Sequence, residues 1–278
     1  MDVGRTWRTP AKHDLMRSLI GKEVGVCKVK HGVRRCVWYD LTAGDAAPVE
    51  GHEWMNSCSP GILANHARNL GKPVVVHLYE IKPATFDRLL GNLAERLPDL
   101  GYHREAEAGW LHGEHVQLFA HNRSGGDASL STVATGDAVF ALNDPNAITE
   151  WAMRDSFAAE VSRLTWMFRS LSTLGCNPAG LKRLPQEERL GWFDLLRHHE
   201  QAAPRHRDLL LAAIERDDAQ WAYLMGEPVK WRGQMEAVAR SAFKRHGASM
   251  VTSWWREQTE AYEALKRQLF LTKAERGA

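Results

Sequence analysis

The chain has 278 residues, 44% of them hydrophobic and 25% charged, the balance of an ordinary globular chain large enough for one sizeable α/β core. Its formal net charge of +2 is close to neutral. The halves differ slightly: residues 1–150 hold 16 Lys and Arg against 18 Asp and Glu, and residues 151–278 hold 20 against 16. That asymmetry permits a polyanionic partner on the C-terminal half and equally describes a solvated helical surface. No run of about 18 apolar residues occurs and the start M-D-V-G-R-T-W-R carries no signal-like segment, so neither a membrane span nor export is expected. The four cysteines, Cys27, Cys36, Cys58 and Cys176, form no C-x-x-C pair. They read as reduced thiols of a cytoplasmic protein, with no metal site.

Residues 1–36 form a polar, basic lead-in, with a short helix over Lys12–Leu19 and Gly21, Gly25 and Gly32 breaking anything longer. The stretch Cys36–Ala47, C-V-W-Y-D-L-T-A-G-D-A-A, then reads as a buried strand entering a tight turn at Ala43 and Gly44. Ser59 caps a helix over about Gly61–Leu70. The run P-V-V-V-H-L-Y-E, Pro73–Glu80, is the most strand-like of the chain because β-branched residues crowd it. Residues 83–97 make an amphipathic helix with Phe86, Leu89, Leu90, Leu93 and Leu97 on one stripe, stopped by Pro98 and Gly101.

A third strand spans His115–Ala120, followed by the glycine-rich loop H-N-R-S-G-G-D, and a fourth spans Val139–Leu142 before N-D-P-N at Asn143–Asn146. A helix over Thr149–Phe168 and a fifth strand over Arg169–Leu174 come next. Beyond Gly175 the pattern is mostly helical, over Gln186–Glu200, Arg205–Arg216, Gln234–His246 and Trp254–Leu269, with a sixth strand at Gln220–Met225. The alternation predicts a doubly wound, mostly parallel sheet with helices on both faces, a core over 37–184 and a helix-rich part over 185–278 continuing the same domain.

In such a sheet ligands bind beyond the carboxyl ends of the strands. Three polar positions fall there: Asp40 to Asp45 after strand one, Glu80 after strand two and Asn122 after strand three. Glu80 is suited to accept both hydroxyls of a ribose. The turn A-G-D-A is neither G-x-G-x-x-G nor G-x-x-x-x-G-K-[ST], which removes the best support for hydride transfer and for phosphate cradling. Of the seven tryptophans in the C-terminal half, most read as core anchors, and Trp254 and Trp255 as candidates for exposure.

D-L-T-A-G-D at Asp40–Asp45, an acidic residue ending strand two and N-D-P-N at Asn143–Asn146 resemble motifs of Rossmann-like S-adenosylmethionine-dependent methyltransferases. With S-P-G-I-L at Ser59–Leu63 and T-L-G-C-N-P-A-G-L-K-R-L at Thr173–Leu184, the order is similar to the three-Cys-motif partner family, whose members pair with a cysteine-motif protein. The resemblance implies S-adenosylmethionine held by Asp40, Ala43, Gly44, Asp45, Glu80 and Asn122, and an acceptor site lined by Asn143, Asp144 and Asn146. Amino-methyltransferases of adenine or cytosine carry D/N-P-P and an aromatic there, of which Asp144 and Pro145 are present. A proline turn before a helix capped by Asn146 is an equal reading of the same residues. The expected activity is methyl transfer to a nucleic-acid base amine. Its competitors are a methyltransferase-fold partner protein without catalysis, and a nucleotide or sugar-nucleotide enzyme on the same sheet.

Overall fold

The computed structural model describes residues 9–30, 32–144, 160, 161, 163–165, 167–173, 185–187, 206–215, 218–228, 234–247, 249–254, 260 and 275. Its centre is a parallel layer of β1 (Cys36–Asp40), β2 (Val74–Tyr79), β5 (Val116–His121), β6 (Ala138–Asn143) and β7 (Phe168–Thr173). Every residue of β1, β2 and β6 is buried. Strands covered on both faces tolerate apolar side chains at every position, which is why V-V-V reads so plainly as β2.

The full sheet has ten strands in the order β10-β8-β9-β7-β6-β1-β2-β5-β4-β3. The four pairings within the central layer are parallel. Antiparallel strands extend it at both edges: β3 (His103–Ala106) and β4 (Gly109–His112) beside β5, and β9 (Asp218–Pro228), β8 (His206–Glu215) and β10 (Ser249–Trp254) beside β7. The chain is thus α/β, with a Rossmann-like parallel centre.

One face of the sheet, through Trp38, Val76, Phe140 and Leu118, packs on α1 (Thr9–Val29), the short α2 (Trp54–Ser57), α3 (Ser59–Arg68), α4 (Pro83–Arg96) and α5 (Gln234–Arg245). The other, through Val37, Tyr39, Tyr79 and Val139, is covered by residues around Val133 and by the helical stretch at Val161. On that second face His77 and His121 bond to each other at 3.0 Å, and Tyr79 stacks on His121 with 4.6 Å between ring centres.

Several sequence expectations are corrected. Residues 9–29 are one helix that passes through Gly21 and Gly25. Glycine costs a helix interior about 1 kcal/mol, outweighed here by the burial of Leu15, Leu19, Ile20, Val24 and Cys27. A Cβ at Gly21 would make only ordinary van der Waals contact with the His66 ring of α3, 3.5 Å away, so packing does not demand glycine there. The helix expected over Arg205–Arg216 is instead strand β8, hydrogen-bonded to β9 and β10. Leu and Ala favour helix, and the two neighbouring strands override them. The hairpin β3–β4 was not anticipated, because H-R-E-A is exposed at every position and shows no alternation. The helix expected from Trp254 begins on the last residue of β10, and most of the residues beyond lie outside those described. So do most of the helices expected over 149–168 and 186–200.

Candidate functional site

Strand order reverses at β1, whose neighbours are β2 on one side and β6 on the other. At such a point the two outgoing loops separate and leave a crevice beyond the carboxyl ends. The loop after β1 lies across that crevice and is fixed to both neighbours. The Leu41 N–H donates to the Leu142 carbonyl at 2.9 Å, and the Ala43 N–H donates to the Tyr79 carbonyl at 2.8 Å. The Asp144 N–H in turn donates to Thr42 Oγ1 at 2.7 Å.

Gly44 adopts φ +64°, and no atom lies within 4 Å of where its Cβ would be. The left-handed backbone itself, rather than a close neighbour, calls for glycine there. Ala46 follows with φ 54°, a conformation that costs a non-glycine residue of order 1 kcal/mol or more. It is pinned by the Trp54 indole, whose Nε1 donates to the Ala46 carbonyl at 2.8 Å. Asp45 is committed to the loop. Its Oδ1 accepts the Ala47 N–H at 3.0 Å, its Oδ2 lies 3.6 Å from Arg88 Nε, and its carbonyl accepts from Asn92 Nδ2 at 2.8 Å. Below the loop, Gly125 presses on Leu41 so closely that a Cβ would stand 2.4 Å from the Leu41 carbonyl oxygen.

Glu80 follows Tyr79 and so stands at the same end of the sheet as the Gly44 turn. Its Oε1 accepts the Lys82 N–H at 2.8 Å, which folds the side chain back over its own turn. Asn122, with its amide nitrogen turned to the Glu80 and Ile81 carbonyls, reaches both at 3.2 Å and steadies that turn. Between them Ile81 is 58% exposed, an apolar side chain on an otherwise polar rim. A single Ile in a loop gives no periodic signal in the sequence.

Asp40 ends β1 on the α1 and α3 face and is only 1% exposed. Its Oδ1 accepts the Thr42 N–H at 3.2 Å, whereas its Oδ2 is buried without a hydrogen-bond partner. Burial pushes its pKa up to about 6, with Asp144 adding to the rise and the Ser59 hydroxyl, the Thr42 N–H and Lys12 opposing it. Lys12 reaches down from the start of α1 to pair with Asp144 Oδ2. Next to it His13 is driven down to about 3 by burial and by Lys12, so its imidazole is neutral. Lys12 and His13 went unselected in the sequence, because pairing across 132 residues leaves no local pattern.

Asn143 ends β6 on the opposite face from Asp40, by strand alternation. It is 3% exposed, and neither atom of its amide has a partner. Asp144 returns to the α1 side through Lys12, so the two acceptor candidates diverge rather than form one clamp. Asn146 lies outside the described residues. No cluster of three or more His, Cys, Asp or Glu suited to a metal occurs among the described residues, and no described helix is long and apolar enough to cross a membrane.

No family model matches the sequence, and no curated protein matches it. Solved structures do resemble its fold. A protein of Legionella pneumophila str. Philadelphia 1, LPL1258, of the family model DUF519, superimposes with a TM-score of 0.56 at 10% identity, over 91% of this chain and 99% of that one. Trm1 of Pyrococcus horikoshii, in complex with S-adenosyl-L-methionine, gives 0.47 at 12% identity, over 81% and 56%. The human methyltransferase 10 domain containing protein gives 0.42 at 7% identity, over 81% and 84%.

Proposed function

We propose that the chain binds S-adenosylmethionine over the carboxyl ends of β1, β2 and β6 and transfers its methyl group to an amine of a nucleic-acid base. The observation that carries this reading is Asp40: a buried carboxylate at the strand-order reversal, beneath a left-handed glycine turn, whose Oδ2 completes no hydrogen bond although the Ser59 hydroxyl lies near the carboxylate. A buried carboxylate is costly unless a donor reaches it, most of all a cationic one. The ammonium of a methionyl group is such a donor, and the turn at Ala43 and Gly44 offers backbone beside it.

The remaining residues fit the rest of the group. Glu80 keeps Oε2 for ribose hydroxyls while Oε1 holds its turn, and Ile81 offers an apolar surface for one face of a purine beside Asn122. Asp45 acts by fixing the loop through Arg88 and Asn92. The bound group supplies an electrophilic methyl on sulfur, and the protein's part is alignment of donor and acceptor. The Asn143 amide oxygen is free to accept from an exocyclic amine and Asp144 holds Lys12 across the acceptor side, with Asn146 the third candidate of the sequence motif. Transfer of radiolabelled methyl from S-adenosylmethionine to DNA or RNA oligomers tests the assignment. Label in the nucleic acid that is lost in Asn143→Ala supports it; binding without transfer to either polymer contradicts it.

A second reading, a methyltransferase-fold member of the three-Cys-motif partner kind that works through protein contacts, is favoured by one observation. Asp144 is already held by Lys12 and Thr42, leaving little of a D-P acceptor clamp. The buried free thiols Cys27, Cys36 and Cys58 suit a reducing compartment such as the cytoplasm under either reading.

A further inference from the structure

Helices α1 and α5 pack against each other on the same face of the sheet. The end of α5 meets the first turns of α1: Arg245 Nε donates to Asp14 Oδ2 at 3.0 Å, and Arg245 Nη2 donates to Ser18 Oγ at 2.7 Å. At about 100° per residue, the outward-facing positions of α1 fall on one arc of roughly 140° that holds Arg17, Lys22 and Lys28. The outward arc of α5 is equally wide and holds Arg240, Lys244 and Arg245.

Those six cations face two carboxylates on the same arcs, Asp14 and Glu236, a surplus of four positive charges on two helices. The whole chain has a net charge of only +2. Helix α4, on the same face of the sheet, is balanced, with Asp87 and Glu95 against Arg88 and Arg96. Both carboxylates of the arcs are occupied. Asp14 accepts from Arg17 Nη2 and Arg245 Nε, each at 3.0 Å, and Glu236 accepts from Arg240 Nη2 at 2.7 Å. Lys22, Lys28 and Lys244 are exposed and have no ion-pair partner among the described residues.

Local helix physics accounts for only part of this charge. A helix dipole favours cations in the last turn, where Lys28, Lys244 and Arg245 stand. Arg17, Lys22 and Arg240 stand further back, and Arg240 with Lys244 makes a like-charge pair at i and i+4, which works against the helix. Gly25 lies on the α1 arc, exposed, and a Cβ there would meet no atom within 4 Å. Packing gives no reason for bare backbone at that position, whereas a partner laid closely along the helix does. Surfaces that hold unpaired bases set aromatic rings among their cations. Neither arc has an exposed Phe, Tyr or Trp, so the charge suits a backbone whose bases are already paired. The 21 residues of α1 run about 32 Å, roughly nine base pairs of a duplex.

We propose that the outward arcs of α1 and α5 form one docking surface for the phosphodiester backbone of a base-paired nucleic-acid stem. Its place is beside the acceptor side of the crevice, which α1 reaches through the pairing of Lys12 with Asp144. The proposal rests on the nucleic-acid reading of the acceptor and names the part of that substrate held outside the crevice. Docking is measured without S-adenosylmethionine, so a failure of methyl transfer and a failure of docking are told apart.

The test is fluorescence anisotropy of a labelled DNA duplex of about 20 base pairs titrated with the full chain across ~50–200 mM salt. For about four phosphates neutralised, the logarithm of the binding constant should fall against the logarithm of salt with a slope of roughly −3 to −4. Combining Lys22→Gln, Lys28→Gln and Lys244→Gln should flatten the slope by about two to three and weaken binding about tenfold or more at ~100 mM salt. Because none of the three lysines holds a partner in the fold, the melting temperature should stay that of the parent. Arg104→Gln, a charge removed from the distant strand β3, should leave both slope and affinity as they are. No duplex binding by the parent at ~50 mM salt, or an unchanged slope in the triple variant, overturns the proposal. So does tighter binding to the single strand of the same length, or to phosphatidylserine vesicles, than to the duplex.

Discussion

Replacing Asp40 by Asn separates what the fold needs from what the site needs. The folded-state pKa of Asp40 is about 6 against 3.8 for the unexceptional carboxyl, roughly two units, and each unit is worth about 1.4 kcal/mol. Because the folded value lies above the unfolded one, ionisation works against the fold. The penalty of about 3 kcal/mol is in full force above pH 6, shrinks as pH falls through 6, and is gone below about 4. An Asn keeps an oxygen for the Thr42 N–H, 3.2 Å away, and carries no charge at any pH. The expected outcome is a variant about 1–3 kcal/mol more stable than the parent in urea at pH 7.5 and equal to it near pH 4. The same variant should lose S-adenosylmethionine, and the parent's affinity should fall as pH drops below about 6, where the carboxyl takes up a proton. Equal or lower stability of Asp40→Asn at pH 7.5, or a difference that does not change with pH, refutes the reasoning.

Other consequences are as direct. Burial holds His77 and His121 down to about 4, and His13 to about 3, so below pH ~6.5 the unfolded chain takes protons the fold refuses. Stability should fall from pH 6.5 toward 4, with His77 alone contributing about 3 kcal/mol at the lower end. Urea midpoints against pH should show this acid limb, and His77→Gln should flatten it. Gly125→Ala sets a Cβ against the Leu41 carbonyl and should cost about 1–3 kcal/mol while displacing the crevice loop, read by urea unfolding and by amide shifts at Thr42–Gly44. Arg169 is 2% exposed and is paired with Glu23, which like Glu227 is fully buried. Arg169→Met should therefore cost about 3–5 kcal/mol, and adding Glu23→Gln should restore part of it.

Legibility followed locality. The central strands announce themselves because burial on both faces leaves runs such as V-V-V-H-L-Y, and α4 because its apolar stripe faces one core. Strand β8 did not, since R-D-L-L-L-A-A-I takes its conformation from hydrogen bonds to β9 and β10 that local propensity does not encode. Helix α1 contains two glycines that read locally as breaks and whose cost the core outweighs. At the site, the turn at Gly44 and the position of Glu80 were readable from strand ends. The ties that settle each side chain were not: Lys12 to Asp144, Gly125 to Leu41, and Asn122 to the Glu80 turn all join residues far apart in the chain. The divergence of Asn143 from Asp144 also needed the strand's register to appear.

The proposed function requires the turn at Gly44 and the carboxylates of Asp40 and Glu80 to serve one adenosyl-bearing ligand. Isothermal titration of the purified chain with S-adenosylmethionine at pH 7.5 tests it most directly. One saturable site per chain is expected, weakened about tenfold or more in Glu80→Ala with the melting temperature retained. Absence of binding, or binding that Glu80→Ala and Asp40→Asn both leave unchanged, would contradict it.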